Sequence, residues 1–171
     1  MKLLMRYPGM LLLTLALALL APLSAKDVRH PATGSPAYAF TVPDDWTTQD
    51  GGSGNLLIMD PKRSTIVVIL VVPSTDPLDK IAKEAIEVAK ASPPTRKEAT
   101  AISGCAGFTW FSTVQNPTNL TLSLEMTIVK IDDQTVASAS LIMIPGVAAD
   151  AEAAARRVRN GLTLVKEAPI K

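Results

Sequence analysis

The chain has 171 residues, with 17 basic and 16 acidic side chains, one cysteine and one histidine. This near balance of charge excludes the basic surface that binding to nucleic acid or to an anionic membrane requires. A single cysteine excludes an internal disulfide framework, so the stability of the fold must come from burial of apolar side chains.

Residues 1–25 are predicted to form a cleavable signal peptide. Lys2 and Arg6 precede an apolar stretch from Met10 to Ala21, and Leu23-Ser24-Ala25 ends in a small residue that suits signal peptidase. A helix that spans a membrane needs about 20 apolar residues, and this stretch is shorter. Cleavage after Ala25 and release into the periplasm, with no stable membrane anchor, is therefore favoured over an uncleaved anchor or a buried helix.

A single domain is predicted over residues 37–171, after a flexible arm. Residues 26–36 are polar, contain prolines and lack periodicity, which is typical of a loose arm. Tyr38–Val42 has strand composition and ends at the turn residues Pro43-Asp44-Asp45. A flexible, glycine-bearing connection over residues 47–55 leads to a short strand at Leu56–Met59.

The most apolar segment of the domain is Ser64–Pro73. Its β-branched side chains occupy both sets of alternating positions, which predicts a strand that is covered on both sides or lies deep within a sheet. Asp76 then has the character of a helix N-cap, with Pro77 as the first helical residue. Apolar residues at helical spacing follow, and Pro93-Pro94 closes the element.

The middle of the predicted sheet is a long hairpin over residues 120–144. Two strands come before it, a weaker one at residues 96–102 and a second at residues 108–114, joined by a small-residue turn at residues 104–107. In the hairpin, apolar and polar residues alternate from Leu120 to Ile128, so the polar set, which includes Glu125, is expected to face water. Asp132-Asp133-Gln134 supplies the turn.

A second helix is predicted to start at Ala149 or Asp150, with an alanine-rich apolar stripe. Gly161 either ends this helix or permits close approach, and the sequence leaves both options open. Clustered strands with two separate helices indicate an α+β fold, in which two helices pack on an antiparallel sheet of about six or seven strands.

No residue set for catalysis, for a cofactor or for a metal is predicted. His30 lies in the predicted arm, so pairing it with Cys105 would require that arm to fold back, and Cys105 is interpreted as a small core residue. Asp44-Asp45 and Asp132-Asp133 are adjacent pairs that turns explain better than calcium does. The glycines of residues 51–54 lack the Lys-Ser/Thr of a phosphate-binding loop and are interpreted as a hairpin loop.

Trp46 and Trp110 are the largest side chains in the predicted domain. We interpret both as core anchors, because aromatic residues supply much of the burial in a small core. The alternative is that one of them is an exposed anchor for a partner.

The order of these elements resembles that of the PsbP/DcrB-like superfamily. The resemblance covers residues 38–165 and consists of Tyr38–Val42 followed by Pro43-Asp44-Asp45-Trp46, then Leu57–Pro61, an apolar strand, a helix, the turn Ile102–Gly107, a strand meander and a C-terminal helix. It implies an antiparallel sheet with helices packed on it, a core role for Trp46 and a non-enzymatic task. No catalytic residues are carried over.

The combined expectation is an exported, periplasmic, non-enzymatic domain that binds another exported protein or serves as its accessory. The alternative is a carrier of a small molecule or lipid, with an apolar cleft between sheet and helix. A hydrolase ranks third, because the chain has a single histidine. The sequence identifies neither the binding surface nor the oligomeric state.

Overall fold

The computed structural model of the chain describes residues 25–30, 37–52 and 54–165. A seven-stranded antiparallel sheet has the order β3-β4-β5-β9-β8-β7-β6, and a three-stranded sheet has the order β1-β2-β10. The α+β class and the two helices are as predicted. The elements are β1 Ala25–His30, β2 Ala37–Pro43, β3 Thr47–Gly52, β4 Asn55–Met59, β5 Thr65–Pro73, α1 Leu78–Val88, β6 Arg96–Ile102, β7 Cys105–Gln115, β8 Thr121–Asp132, β9 Thr135–Met143, α2 Ala149–Asn160 and β10 Thr163–Val165.

The β8–β9 hairpin forms the middle of the large sheet, which confirms the sequence prediction. Its turn is closed by the Asp132 carboxylate, which accepts a hydrogen bond from the Gln134 N–H at 2.8 Å. The expectation that Glu125 and Thr127 face water is wrong, because only 5% and 1% of these residues is exposed. Other parts of the fold cover the second face of β8 as well as the first.

Each face of the large sheet has its own core. On one face α1 packs against β7 and β8, and buries Trp110, Met126 and Ile128. On the other face α2 packs against β5, β9 and β2, and this core joins the small sheet to the large one. Because β2 belongs to the small sheet, the predicted strand at Tyr38–Val42 is confirmed as a strand but not as part of the main sheet.

Both helices lie within one or two residues of their expected N-terminal limits. Pro77 occupies the N-cap position of α1, and Asp76 instead forms an ion pair with Lys80 at 3.0 Å. Gly161 follows α2 directly and donates its N–H to the Arg157 carbonyl at 2.8 Å, so it ends the helix. No helix in the described ranges is long and apolar enough to cross a bilayer.

Three strands are absent from the sequence interpretation. Residues 26–30, predicted as part of a flexible arm, form β1 and pair with β2 from Ala25–Pro43 to His30–Tyr38. The pairing is supported by Val28, which packs on the core, and by His30, whose ring centroid lies 5.5 Å from the ring centroid of Tyr38. Residues 47–52, expected as a flexible connection, form β3, and the short β10 completes the small sheet. Residues 1–24 of the predicted signal peptide and residues 31–36 of the predicted arm lie outside the described residues.

Strand β5 is deep in the sheet, as predicted, but it is covered well on one side only. Val67 and Ile69 are fully buried against the α2 side. Ile66, Val68 and Leu70 alternate with them and are half-buried on the α1 side. α1 lies over β7 and β8, and Val72 near the end of β5 is the residue of this strand that packs on the core beneath it.

Candidate functional site

The α1 side of the large sheet is covered over only half of its width. Among the described elements, α1 packs on β7 and β8, and no other helix or strand packs on this side of β4, β5 and β9. The side chains that point outward from this half of the sheet are apolar and half-buried, and we call them the open face: Leu57 and Met59 on β4, with Ile66, Val68 and Leu70 on β5.

Next to the open face, the outward side chains of β9 form a shallow depression in the surface of the sheet. Strand register places Ser140 beside Val68 and Ser138 beside Leu70, while Ile142 lies beside Ile66. These serines have small side chains, and they are flanked by the larger side chains of β5. The surface is therefore concave along the direction of β9.

One flank of α1 forms a wall beside this floor. Leu78, Ile81 and Ala85 are half-buried and pack on the core beneath α1 together with Ile142. Helical spacing places Val88 on the same flank as Ile81, about two turns further along the helix. Val88 is 84% exposed. The open face, the two serines and this flank of α1 together form an uncharged surface that we call the trough.

Both tryptophans are core residues, as the sequence interpretation favoured. Each is 5% exposed, so neither is an exposed anchor for a partner. Each nevertheless lines a surface cleft. Trp110 lies at a cleft of ≈ 360 Å³ between α1 and the segment after it, lined by Ala82, Ile86, Ala91, Pro93 and Pro94 among others.

Trp46 lies in a larger cleft, of ≈ 560 Å³, at one end of the large sheet. The walls of this cleft are the turn at Pro43–Trp46, the turn after β4 and the N-terminal half of α2. Its lining mixes acidic and basic side chains with apolar ones, including Asp45, Lys62 and Arg157. This mixture does not single out one class of ligand.

The turn after β4 is held by the buried carboxylate of Asp60. It accepts hydrogen bonds from the Thr65 N–H at 2.6 Å, the Ser64 hydroxyl at 2.9 Å, and the Lys62 N–H and Thr65 hydroxyl at 3.2 Å each. Burial alone would raise the pKa of Asp60, but these hydrogen bonds outweigh it and hold the pKa below its usual range. Asp60 is thus an ionised structural group that fixes one wall of the cleft.

A buried carboxylate also connects α2 to the sheet. Glu125 on β8 accepts two parallel hydrogen bonds from Arg156, each at 2.6 Å, and a third from Arg159 at 2.6 Å. Arg156 also pairs with Glu152 at 2.8 Å. Burial would lower the pKa of Arg156, but these carboxylates raise it overall. One sign of this cluster is visible in the sequence: two arginines three residues apart on an alanine-rich helix.

The residues considered for chemistry do not form a reactive group. His30 lies on β1 of the small sheet, whereas Cys105 begins β7 of the large sheet and is half-buried beside the core rather than fully buried. Asp44 and Asp45 lie in the turn that the Trp46 N–H closes onto the Pro43 carbonyl at 3.0 Å. Within the described ranges, no three His, Cys, Asp or Glu side chains are grouped as metal ligands would be.

The predicted glycine loop is a hairpin turn. Gly52 and Gly54 have φ angles of 77° and 79°, in the left-handed region that favours glycine, and they lie where β3 turns into β4. This confirms the hairpin interpretation of residues 51–54, of which residue 53 is outside the described ranges.

Comparison with known proteins identifies the fold. No protein-family model matches the sequence, and no curated protein matches it. The structure is similar to that of the cyanobacterial PsbP protein CyanoP from Synechocystis, with a TM-score of 0.55, 14% identity, and coverage of 85% of this chain and 95% of that one. It is also similar to LpqN of Mycobacterium tuberculosis, a protein involved in cell envelope biogenesis, with a TM-score of 0.53, 14% identity, and coverage of 83% and 92%.

A third similar structure is a protein from Bacteroides thetaiotaomicron, with a TM-score of 0.52 and 19% identity. The match covers 76% of this chain and 46% of that one. The chain therefore has the PsbP-like fold that the sequence resemblance implied.

Because Glu125 forms buried ion pairs, we predict that removing its charge strongly lowers the stability of the fold. Replacement Glu125→Gln should lower the free energy of unfolding by about 3 kcal/mol, because it leaves the guanidinium groups of Arg156 and Arg159 without their shared counter-charge. Urea denaturation measures this change. The matched control is Glu152→Gln, a half-exposed partner of Arg156, which should cost less than about 1 kcal/mol. Equal losses in the two variants would contradict the account.

The lowered pKa of Asp60 predicts a pH-dependent contribution to stability. Because the folded-state pKa is below the unfolded-state value, this contribution is present above the unfolded-state pKa of about 3.9 and is lost as the pH falls through the folded-state value. Wild type and Asp60→Asn should differ most in unfolding free energy at neutral pH, and less below about pH 4. Denaturation at several pH values tests this, with exposed Asp45→Asn as the control. A difference that stays constant with pH would disprove the assignment.

Proposed function

We propose that the protein is an exported, non-enzymatic accessory domain that binds another protein in the periplasm. The observation that carries this proposal is the trough. A monomeric protein rarely leaves a large contiguous apolar surface uncovered, and such surfaces mark sites of interaction. Here five apolar side chains of the open face adjoin a helix flank that ends in Val88, of which 84% is exposed.

Three further observations support the proposal. The predicted signal peptide supplies the route to the periplasm. LpqN, which has a similar structure, is involved in cell envelope biogenesis. The separation of His30 and Cys105 onto different sheets leaves no imidazole–thiol pair in the described residues for nucleophilic catalysis.

A second candidate is a carrier of a small apolar molecule. The cleft beside Trp110 favours it, because the apolar side chains of its lining outnumber the charged ones, which are Asp79, Lys83 and Glu87. Its ≈ 360 Å³ is at the small end of the range for ligand sites, which is about 300 to 1,000 Å³. The trough is the broader apolar surface, so protein binding is the primary proposal.

The test is native mass spectrometry of the full-length chain, produced with a C-terminal tag in its own host. A stoichiometric complex with another exported polypeptide is expected. The complex should be lost in Val88→Lys, which places a charge on the trough wall at an exposed position that does not support the core. It should persist in the control Thr48→Lys, because Thr48 is an exposed residue whose register with Ile58 directs it to the opposite face of the sheet.

Two results would count against this proposal. A monomer that carries extra small-molecule mass would favour the carrier. A complex that survives Val88→Lys unchanged would show that the trough is not the binding surface.

A further inference from the structure

We infer that the partner fills the trough with an amphipathic α-helix whose uncharged face lies on β5 and β9, antiparallel to α1. This inference rests on the proposed function and specifies the chemistry and shape of the partner. It is based on the width of the trough, its lack of charge, the area it offers and the direction of α1 beside it.

The width of the uncovered half of the sheet fits one helix. Neighbouring strands are about 4.8 Å apart, so β5 and β9 together span about 10 Å. An α-helix with its side chains is about 10 to 12 Å in diameter. A second helix laid beside α1 would therefore cover β9 and β5, as α1 covers β7 and β8.

The lining of the trough requires an apolar partner surface. Its floor and wall consist of aliphatic side chains, methionine, alanine and the two serines, Ser138 and Ser140. The charged residues of α1 nearest this wall are exposed Glu84, one turn before Val88, and Lys80, and they pair with each other at 3.9 Å. A charged face placed in the trough would be desolvated without a counter-charge, which is costly. The small serines let a helix approach the sheet closely.

The area of the trough argues against a second copy of this chain as the occupant. Half-buried side chains on a few strands offer an apolar patch on the order of a few hundred Å². A stable interface buries about 800 Å² on each partner. A copy of this domain would meet that requirement only if further surfaces joined the contact, whereas a single helix from a partner needs only the trough.

The chain's own leader is not the occupant that we infer, because the predicted cleavage after Ala25 removes it from the exported protein.

The direction of α1 sets the direction of the helix. The side chains at the Val72 end of the trough carry both signs of charge, since Lys130 on β8 lies two residues before Asp132 in the turn to β9. α1 begins at Leu78, close to this end, so the positive end of its dipole is there. The negative C-terminal end of a partner helix is therefore favoured beside the N-terminus of α1, which makes that helix antiparallel to α1.

Photo-crosslinking from three positions on β5 tests the inference. A benzoylphenylalanine residue replaces Ile66, Val68 or Leu70 in the tagged full-length chain, and the crosslinked peptides are sequenced by mass spectrometry. Two residues along a strand span about 6.7 Å, which is the rise of about four to five residues of a helix. Successive probes should therefore reach partner residues about four or five apart, and the Leu70 probe should reach the one nearest the C-terminus. The control probe, at Thr48 on the opposite face, should give no such crosslinks.

Other crosslinking results would overturn the inference. Partner residues about two apart would identify an extended strand, and crosslinks within this chain would identify a second copy or the leader. The opposite order of partner residues would refute the direction. If native mass spectrometry shows a partner but none of the β5 probes reaches it, this inference fails and the proposed function stands. If no protein partner is found by either method, both fail.

Discussion

Glu125 is a buried carboxylate on the central strand β8. Its ion pairs with arginines of α2 hold that helix on one face of the large sheet. Arg156 and Arg159 of α2 supply three hydrogen bonds to Glu125 at 2.6 Å, so the helix cannot shift along the sheet without leaving a buried charge unpaired. α2 buries mainly alanines and one valine. The apolar contacts of these small side chains are weakly directional, and the ion pairs supply the missing specificity of position.

With α2 fixed, the small sheet and α2 together cover one face of the large sheet. The other face receives only α1 among the described elements, and a single helix spans about two strands. Thus the two faces of β5 differ: Val67 and Ile69 are fully buried, while Ile66, Val68 and Leu70 are not. This uneven cover is the observation behind the proposed function, because an apolar half of the sheet that no described helix covers offers a surface for a partner.

Local sequence patterns predicted the elements whose periodicity is strong. The β8–β9 hairpin, β5, and both helices follow from alternation or helical spacing, and Trp46 and Trp110 are buried as their size favoured. The missed strands β1, β3 and β10 are short and polar or half-exposed, so their stability comes from pairing rather than from their own pattern. The burial of Glu125 and the exposure of the open face depend on which helix covers which strands. That is tertiary information, and no single segment contains it.

The uncovered half of the sheet is tested most directly by solution NMR with a soluble gadolinium chelate added to the methyl-labelled protein. Relaxation enhancement should alternate along β5: strong for the methyl groups of Ile66, Val68 and Leu70, and weak for those of Val67 and Ile69. Val88, at 84% exposure, serves as the internal reference for full access. Uniformly weak enhancement along β5 would mean that this face is already covered, and it would contradict the account of the trough as a binding surface.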